Sequence, residues 1–120
     1  MIFKKLKLVL LESGYKVILT SNVSKSKKKG LASGIKGYIV PDDLKIYINK
    51  NIGVNDRVIT LVHELLHEIY PVWTEGKVSQ ASERIFQRLT VPQLGFLQFF
   101  IMVPAEIRAM LKSNNLSSAC

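Results

Sequence analysis

The chain has 120 residues, 48% of them hydrophobic and 22% charged, and this balance predicts one globular domain over residues 1–120 while excluding a disordered tail. Its only cysteine, Cys120, excludes an intrachain disulfide framework and a cysteine-built zinc ribbon; it fits a reducing compartment, so a cytoplasmic location is expected. The formal net charge is +8, and the excess of positive charge lies in residues 1–50, which contain 11 lysines and only three acidic residues.

The segment before Gly14 fits two interpretations. Leu6, Leu8 and Leu10 alternate as they would in a strand. Phe3, Leu6 and Leu10 instead lie on one face of a short helix. The periodicity of this segment therefore leaves both structures open.

Short strands are predicted in the first half of the chain, residues 1–50. Segments 15–20, 37–40 and 44–49 are rich in β-branched and aromatic residues and are bounded by Gly, Pro and Asp. The last two have the form of a hairpin whose turn is PDD at 41–43. A small antiparallel sheet is expected from these strands.

A basic segment, SKSKKKG at 24–30, has no apolar periodicity and predicts a mobile loop. Its lysines can hold nucleic acid phosphates or attract an acidic partner, although a solvated loop is the simpler interpretation. No aromatic residue is interleaved with these lysines, so a stacking platform for single strands is not predicted.

The second half of the chain has the apolar periodicity of helices, from residue 54 to 113. A first helix follows Asn55, a candidate N-cap, and is ended by Pro71. A second helix follows Thr74, another candidate N-cap. A third segment, 93–112, is strongly apolar and is broken by a proline. Strands followed by helices indicate an α+β domain.

The C-terminal apolar stretch at 94–104 is far below the roughly 20 residues that a bilayer span needs, and Gln98 interrupts it. A buried helix is therefore expected, with no membrane contact.

The chemistry-bearing pattern is HELLHE at 63–68, which contains both histidines of the chain. His63 and His67 are four residues apart, about one helical turn, so both imidazoles leave one face of the helix and can bind one metal ion. Glu64 lies about 100° around the helix from His63, which places its carboxylate beside the open position of the ion. A general base belongs at that place.

The ligand types predict zinc. Neutral imidazoles suit Zn²⁺, and a site with three protein ligands and one open position is of the catalytic type. The ion lowers the pKa of its water toward about 7, and Glu64 accepts the proton as the water attacks a polarised carbonyl, then passes it to the leaving amine. The expected reaction is hydrolysis of a peptide bond in a peptide or protein substrate.

The third ligand is open between Glu75 and Glu83, both on the following helix. Relative to the apolar face of that helix, Glu75 lies about 60° away and Glu83 about 140° away, which favours Glu75. Height along the helix pair argues for Glu83, because an antiparallel second helix would bring it level with His63. Glu75 can also serve only the helix dipole, and Glu83 can be a solvated residue.

The segment HELLHEIYPVWTEGKVSQASERI at 63–85 resembles small bacterial and phage-type HExxH proteins, in which the motif helix is followed by a Pro, a Ser/Thr–Glu pair and a second amphipathic helix. The preceding hairpin, GYIVPDDLKIYI at 37–48, matches that pattern as well, so the resemblance covers roughly residues 35–90. The chain also resembles the minimal gluzincin metallopeptidases, the minigluzincins.

This resemblance implies a zincin-like fold, with His63 and His67 as zinc ligands, Glu64 as catalytic base and a glutamate of the next helix as third ligand. The Thr74–Glu75 pair matches the Ser/Thr–Glu pair of the small-protein pattern, which favours Glu75. The predicted function is a zinc-dependent metallopeptidase. In compact proteins of this kind a terminal segment can cover the cleft and keep the enzyme latent. The tail from Leu94 to Leu111 is a candidate for that role, secondary to core packing.

A second hypothesis comes from a different class of function. The chain could be a zinc-stabilised, non-catalytic binding module of a phage or mobile element. It would contact nucleic acid or an acidic partner through the Lys25–Lys29 loop.

Overall fold

The computed structural model describes residues 2–21 and 35–119, and it describes only the backbone of Met110 and of residues 113–119. The predicted basic loop at 24–30, with Lys25–Lys29, lies outside the described residues, as does Cys120. The interpretation of the loop as a nucleic acid contact therefore stays a prediction.

The element order confirms the α+β class, with a sheet in the first half and helices in the second. The elements are α1 (Ile2–Glu12), β1 (Lys16–Thr20), β2 (Gly37–Val40), β3 (Lys45–Asn49), α2 (Val54–Ile69), α3 (Glu75–Arg88), α4 (Val91–Ile101) and α5 (Pro104–Ala119). A 3-10 turn at Pro41–Asp43 joins β2 to β3, as the hairpin pattern predicted.

The N-terminal segment is the helix α1, which resolves its ambiguous periodicity. Leu6 and Leu10 are buried, whereas Leu8 is exposed, as a helical face requires and a strand would not allow. Gly14 follows the helix with a φ of +79°, a left-handed conformation that glycine adopts without a Cβ clash. The chain turns there into β1.

The sheet is mixed, with the strand order β1-β3-β2. β2 and β3 pair antiparallel as expected, but β1 pairs parallel with β3, so the expectation of a wholly antiparallel sheet is wrong. A short turn forces two strands to run antiparallel, and only β2 and β3 are joined by one. The direction of β1 is set by packing, which no local pattern reveals.

The core is built around α2. Its buried apolar residues face the sheet, α1, α3 and α4 at once. The fully buried side chains of this core include Leu6, Ile46, Ile48, Val58, Leu61, Val62, Leu65, Leu66, Val78, Leu97 and Ile101. Burial of each contributes about 1.5–3 kcal/mol relative to exposure, so the rotation of α2 about its axis is strongly fixed.

Of the two predicted N-caps, one is confirmed and one is wrong. Thr74 caps α3 as expected, because its Oγ1 accepts a hydrogen bond from the Lys77 amide at 3.1 Å. The Asn55 cap is wrong: α2 begins at Val54, and Gly53 precedes it with no side-chain cap. The Arg57 amide donates to the Gly53 carbonyl at 2.9 Å, so the helix starts two residues earlier than the Asn55 cap would place it.

The C-terminal apolar segment divides at Pro104 into α4 and α5, as predicted. Leu97 and Ile101 of α4 are fully buried in the core. Among the helices of the described residues, none is long and apolar enough to cross a bilayer.

Candidate metal centre

The two histidines of the chain converge on α2. His63 and His67 lie on one side of the helix, with 3.2 Å between their Nε2 atoms. Leu65 and Leu66, between them in sequence, are fully buried and hold that side of the helix toward the cleft. The predicted one-turn spacing therefore places both rings at one point.

The turn between α2 and α3 is held by a stack of rings and cations. Tyr70 and Trp73 are stacked with 4.1 Å between their ring centroids. The Lys5 Nζ lies 5.2 Å from the Tyr70 centroid, and the Lys77 Nζ lies 4.5 Å from that of Trp73. Because this turn is short and packed, α3 begins beside the last turn of α2.

Glu75 is the first residue of α3, and its carboxylate bridges the two rings. Its Oε2 lies 2.8 Å from the His63 Nε2, and its Oε1 lies 2.9 Å from the His67 Nε2. The Glu75 side chain is 70% exposed, so the group is reached from solvent. Ring nitrogens and carboxylate oxygens of His63, His67 and Glu75 all lie within 4.8 Å of one another.

These three donors have the chemistry and the spacing of a zinc site. Two donors that are each about 2.0–2.1 Å from a tetrahedral ion are about 3.3 Å apart. The donor separations of 3.2, 2.9 and 2.8 Å are within about half an ångström of that value, so small side-chain movements suffice to accept an ion. Two imidazoles and one carboxylate form a donor set that zinc accepts.

The local electrostatics favour the neutral form of one ring. Burial lowers the pKa of His63, and the proximity of His67 lowers it further, while Glu75 opposes both effects. Neutral imidazole is the form that binds a metal ion, since protonation occupies the lone pair. His63 is therefore electrostatically suited to be a ligand at neutral pH.

Glu64 lies in the same cleft. Its side chain is buried, at 8% exposure, and it lines a cleft of about 290 Å³ together with His63 and Glu75. The walls of the cleft come from α2, α3 and the start of β2. The structure thus brings the carboxylate predicted as a base to a cavity that two of the three candidate metal ligands, His63 and Glu75, also line.

Glu83 lines the cleft but lies outside the group of three. It follows Glu75 by eight residues, about 12 Å along the axis of α3. The height argument in favour of Glu83 does not hold, because the short turn places the first residue of α3 level with both histidines. Its expected position toward solvent is also only partly right, since the exposed side chain reaches the cleft.

The C-terminal tail does not cover the cleft with any side chain that the structure describes. The lining residues belong to β2, α2 and α3 and to the residue before β2, and none comes from 94–112. Core packing, the simpler of the two interpretations, accounts for Leu97 and Ile101.

Two residues of the cleft wall were not predicted as site residues from the sequence. Lys36 and Asp56 face each other there, with 3.8 Å between the Lys36 Nζ and the Asp56 Oδ2. Asp56 precedes His63 by seven residues, two helical turns, and that spacing could have placed it on the same face. Lys36 offers no comparable signal, because only the packing of β2 against α2 brings it there.

Gly37 allows that packing. A Cβ at Gly37 would lie 2.6 Å from the Tyr47 carbonyl oxygen and 2.7 Å from Cγ2 of Thr60. Contacts that short do not occur, so a larger residue would push β2 away from β3 and α2. The narrow cleft wall depends on this glycine.

Comparisons with known proteins do not extend the assignment beyond the site itself. No protein-family model matches the chain, and neither curated proteins nor solved structures give a match. The likeness to zincins lies in the arrangement of two histidines of an HExxH helix and a glutamate on the next helix, and this group is a candidate metal centre.

Proposed function

We propose that the protein is a zinc-dependent metallopeptidase in which His63, His67 and Glu75 hold the ion and Glu64 is the general base. One observation carries the proposal: two ring nitrogens and one carboxylate converge within 3.2 Å at the end of a cleft that Glu64 also lines. A purely structural zinc site is closed by four protein ligands, whereas this group offers three.

The proposed role of each side chain follows from its chemistry and its surroundings. As ligands of a divalent ion, His63 and His67 would bind through neutral imidazoles and Glu75 would add one negative charge, so the loaded site would keep a net positive charge. The ion supplies Lewis acidity that polarises a carbonyl and lowers the pKa of water. Because Glu75 is 70% exposed and lines the cleft, an ion held there would be reached from the cleft.

Glu64 moves the proton. It follows His63 in sequence, and its buried carboxylate lies against the cleft next to the candidate ligands. In the proposed reaction it accepts a proton from the attacking water and delivers that proton to the nitrogen of the leaving amine. A peptide or protein substrate would lie in the cleft between α2, α3 and the start of β2.

The test is a Glu64→Gln variant, which keeps the shape of the side chain and removes the base. We expect zinc content equal to wild type and a loss of peptide cleavage of about 10²- to 10⁴-fold. Glu83→Gln is the matched control, because Glu83 lines the same cleft outside the group of three. Zinc is measured by mass spectrometry and cleavage with a diverse peptide library.

Two outcomes would overturn this proposal. One is full cleavage activity in the Glu64→Gln protein. The other is zinc-loaded wild type and variant that are equally inert, together with nucleic acid binding that weakens steeply with salt, which would support the binding-module hypothesis.

The ligand set has its own test. Glu75→Ala is expected to lose zinc, and Glu83→Ala is expected to retain it, because the Glu75 carboxylate reaches both rings whereas Glu83 lies outside the group of three. The reverse result would replace Glu75 with Glu83 in the proposed site.

A further inference from the structure

A second concave surface lies on the other flank of α3. This groove has a volume of about 230 Å³ and is lined by α1, α3 and the start of α4. Ile2 and Phe3 form one wall, and Ile85 and Leu89 form the other. None of these residues takes part in the candidate metal centre.

Two arginines border the groove. Arg84 and Arg88 are one turn apart on α3, and both are exposed. Among the described residues, neither guanidinium has a carboxylate partner. Two free cations beside an apolar surface are complementary to a ligand that combines carboxylates with apolar side chains.

The groove is formed in advance. The Phe3 ring is held edge-on against Phe96, with 5.8 Å between their centroids. Gln93 at the other end is fixed by the N-cap of α4, where its Oε1 accepts a hydrogen bond from the Thr90 amide at 2.9 Å. A ligand therefore meets ordered walls and loses little affinity to their ordering.

The size and pattern of the groove indicate which ligand it fits. Small-molecule pockets have volumes of about 300–1,000 Å³, so this smaller groove takes one or two inserted side chains. The Arg84 and Arg88 row runs beside the Ile85 and Leu89 row, each with a spacing of one turn. A helix with glutamates at i and i+4 beside an apolar row presents the matching pattern.

We infer that this groove is a docking site for an acidic amphipathic helix of a partner protein. The helix inserts a large apolar side chain between α1 and α3 and places two carboxylates on Arg84 and Arg88. Around α3 these arginines lie about 160° from the cleft-lining face of Glu75, Ser79 and Glu83. A partner bound there leaves the candidate metal centre open, so the docking is independent of the proposed catalysis.

The probe for this site is a synthetic peptide of about 16 residues, long enough to form a helix. It carries two glutamates at i and i+4 next to a Leu and a Phe. We expect it to bind the full chain and to shift the NMR signals of the Arg84 and Arg88 side chains and of the Ile85 and Leu89 methyl groups. Affinity should fall with salt, since exposed ion pairs are screened.

Variants separate specific docking from general attraction to a basic protein. Arg84→Gln with Arg88→Gln is expected to weaken binding about 10-fold. Arg108→Gln with Lys112→Gln also removes two positive charges, from exposed positions one turn apart on α5; this matched control should change affinity less than about 2-fold. A peptide with glutamine in place of both glutamates should also bind about 10-fold more weakly.

Four results would overturn the inference. The first is no binding at peptide concentrations up to about 1 mM, and the second is equal affinity of the double arginine variant and the double variant of Arg108 and Lys112. The third is equal affinity of the glutamine and glutamate peptides, and the fourth is displacement of the peptide by decanoate that binds with the same affinity as the peptide. The last result would indicate a site for free amphiphilic carboxylates in place of a helix.

Discussion

Two polar clusters lie on α2 less than two turns apart, and they differ in how their charges are matched. Arg57, at 5% exposure, is the centre of the first. His63 and His67, with Glu75 from α3, form the second. The same helix thus carries one charged group inside the protein and another at the end of a cleft.

The first cluster is complete within the protein. The Arg57 guanidinium donates to the carbonyl oxygens of Ile52, Lys50 and Ile101 at 3.0, 2.8 and 2.9 Å. It also donates to both carboxylate oxygens of Glu106 at 2.7 and 3.0 Å. All five donors of the guanidinium are matched, so the cluster needs no ligand and joins α2 to the start of α5.

The second cluster is a set of donors gathered around one point. A cation placed between the His63 ring, the His67 ring and the Glu75 carboxylate contacts all three. Burial of charge alone therefore does not indicate a candidate functional site. What distinguishes the second cluster is the convergence of possible ligand atoms beside an open cleft.

The largest expected effect on stability comes from a substitution in the first cluster. Arg57→Leu should lower the free energy of unfolding by about 3–5 kcal/mol, because it leaves Glu106 and three carbonyl oxygens without their donor. Urea unfolding measures the change, with Arg108→Leu as an exposed control expected to change stability by less than about 0.5 kcal/mol. A loss below about 1 kcal/mol would show that the cluster is not an important structural link.

Zinc binding at the second cluster should stabilise the folded protein. Zinc at about 100 times its dissociation constant should stabilise wild type by about 2.7 kcal/mol. His63→Ala should abolish this stabilisation and weaken zinc binding by more than about 100-fold, since even residues that only support metal ligands alter affinity 10- to 100-fold. Thermal unfolding with and without zinc tests this, and Glu83→Gln should behave as wild type. If zinc still raised the Tm of His63→Ala, the second cluster would not be the zinc site, and it would no longer differ from the first cluster in needing a ligand.

A substitution at Gly37 in the cleft wall tests the packing of β2, without removing a candidate metal ligand. Gly37→Ala should destabilise the protein by about 1–3 kcal/mol, because the new Cβ would meet backbone and side-chain atoms of Tyr47 and Thr60. Gly95→Ala, in α4 with nothing within 4 Å of its added Cβ, should instead stabilise by about 0.5–1 kcal/mol. Chemical denaturation gives both values, and destabilisation of equal size in both variants would contradict the close approach of β2.

The last prediction concerns the pH dependence of the stability that the first cluster contributes. Hydrogen bonds from Arg57, and then from the Val103 amide, lower the pKa of Glu106 from its ordinary value of 4.5. Its contribution is therefore complete above about pH 4.5 and is lost as the pH falls through the lower, folded-state pKa.

Glu106→Gln tests this dependence. The variant should be less stable than wild type by about 1–2 kcal/mol at neutral pH, because the side chain is partly exposed and keeps some hydrogen bonds. The difference should shrink below pH 4.5 in unfolding curves recorded across acid pH. A difference that is constant or grows toward acid pH would contradict the depressed pKa.

Much of the candidate site could be predicted because its parts are local. The spacing of His63, Glu64 and His67 fixes their relative directions once the segment is helical, and the buried apolar stripe of α2 fixes which side faces the core. Angle and height gave opposite answers for Glu75 and Glu83, so the sequence alone could not say which of them meets the histidines. The position of Glu75 beside both rings depends on the Tyr70–Trp73 turn, whose stacking no periodicity reveals.

The sequence by itself determined the α+β order, the hairpin at Pro41–Asp43, the Thr74 cap and the one-turn pair of histidines, because each depends on interactions within a few residues. Only the tertiary structure decided that β1 runs parallel to β3, and that Glu75 meets both rings. These features depend on contacts between residues far apart in the chain, where packing of the whole core selects among arrangements that are locally equivalent.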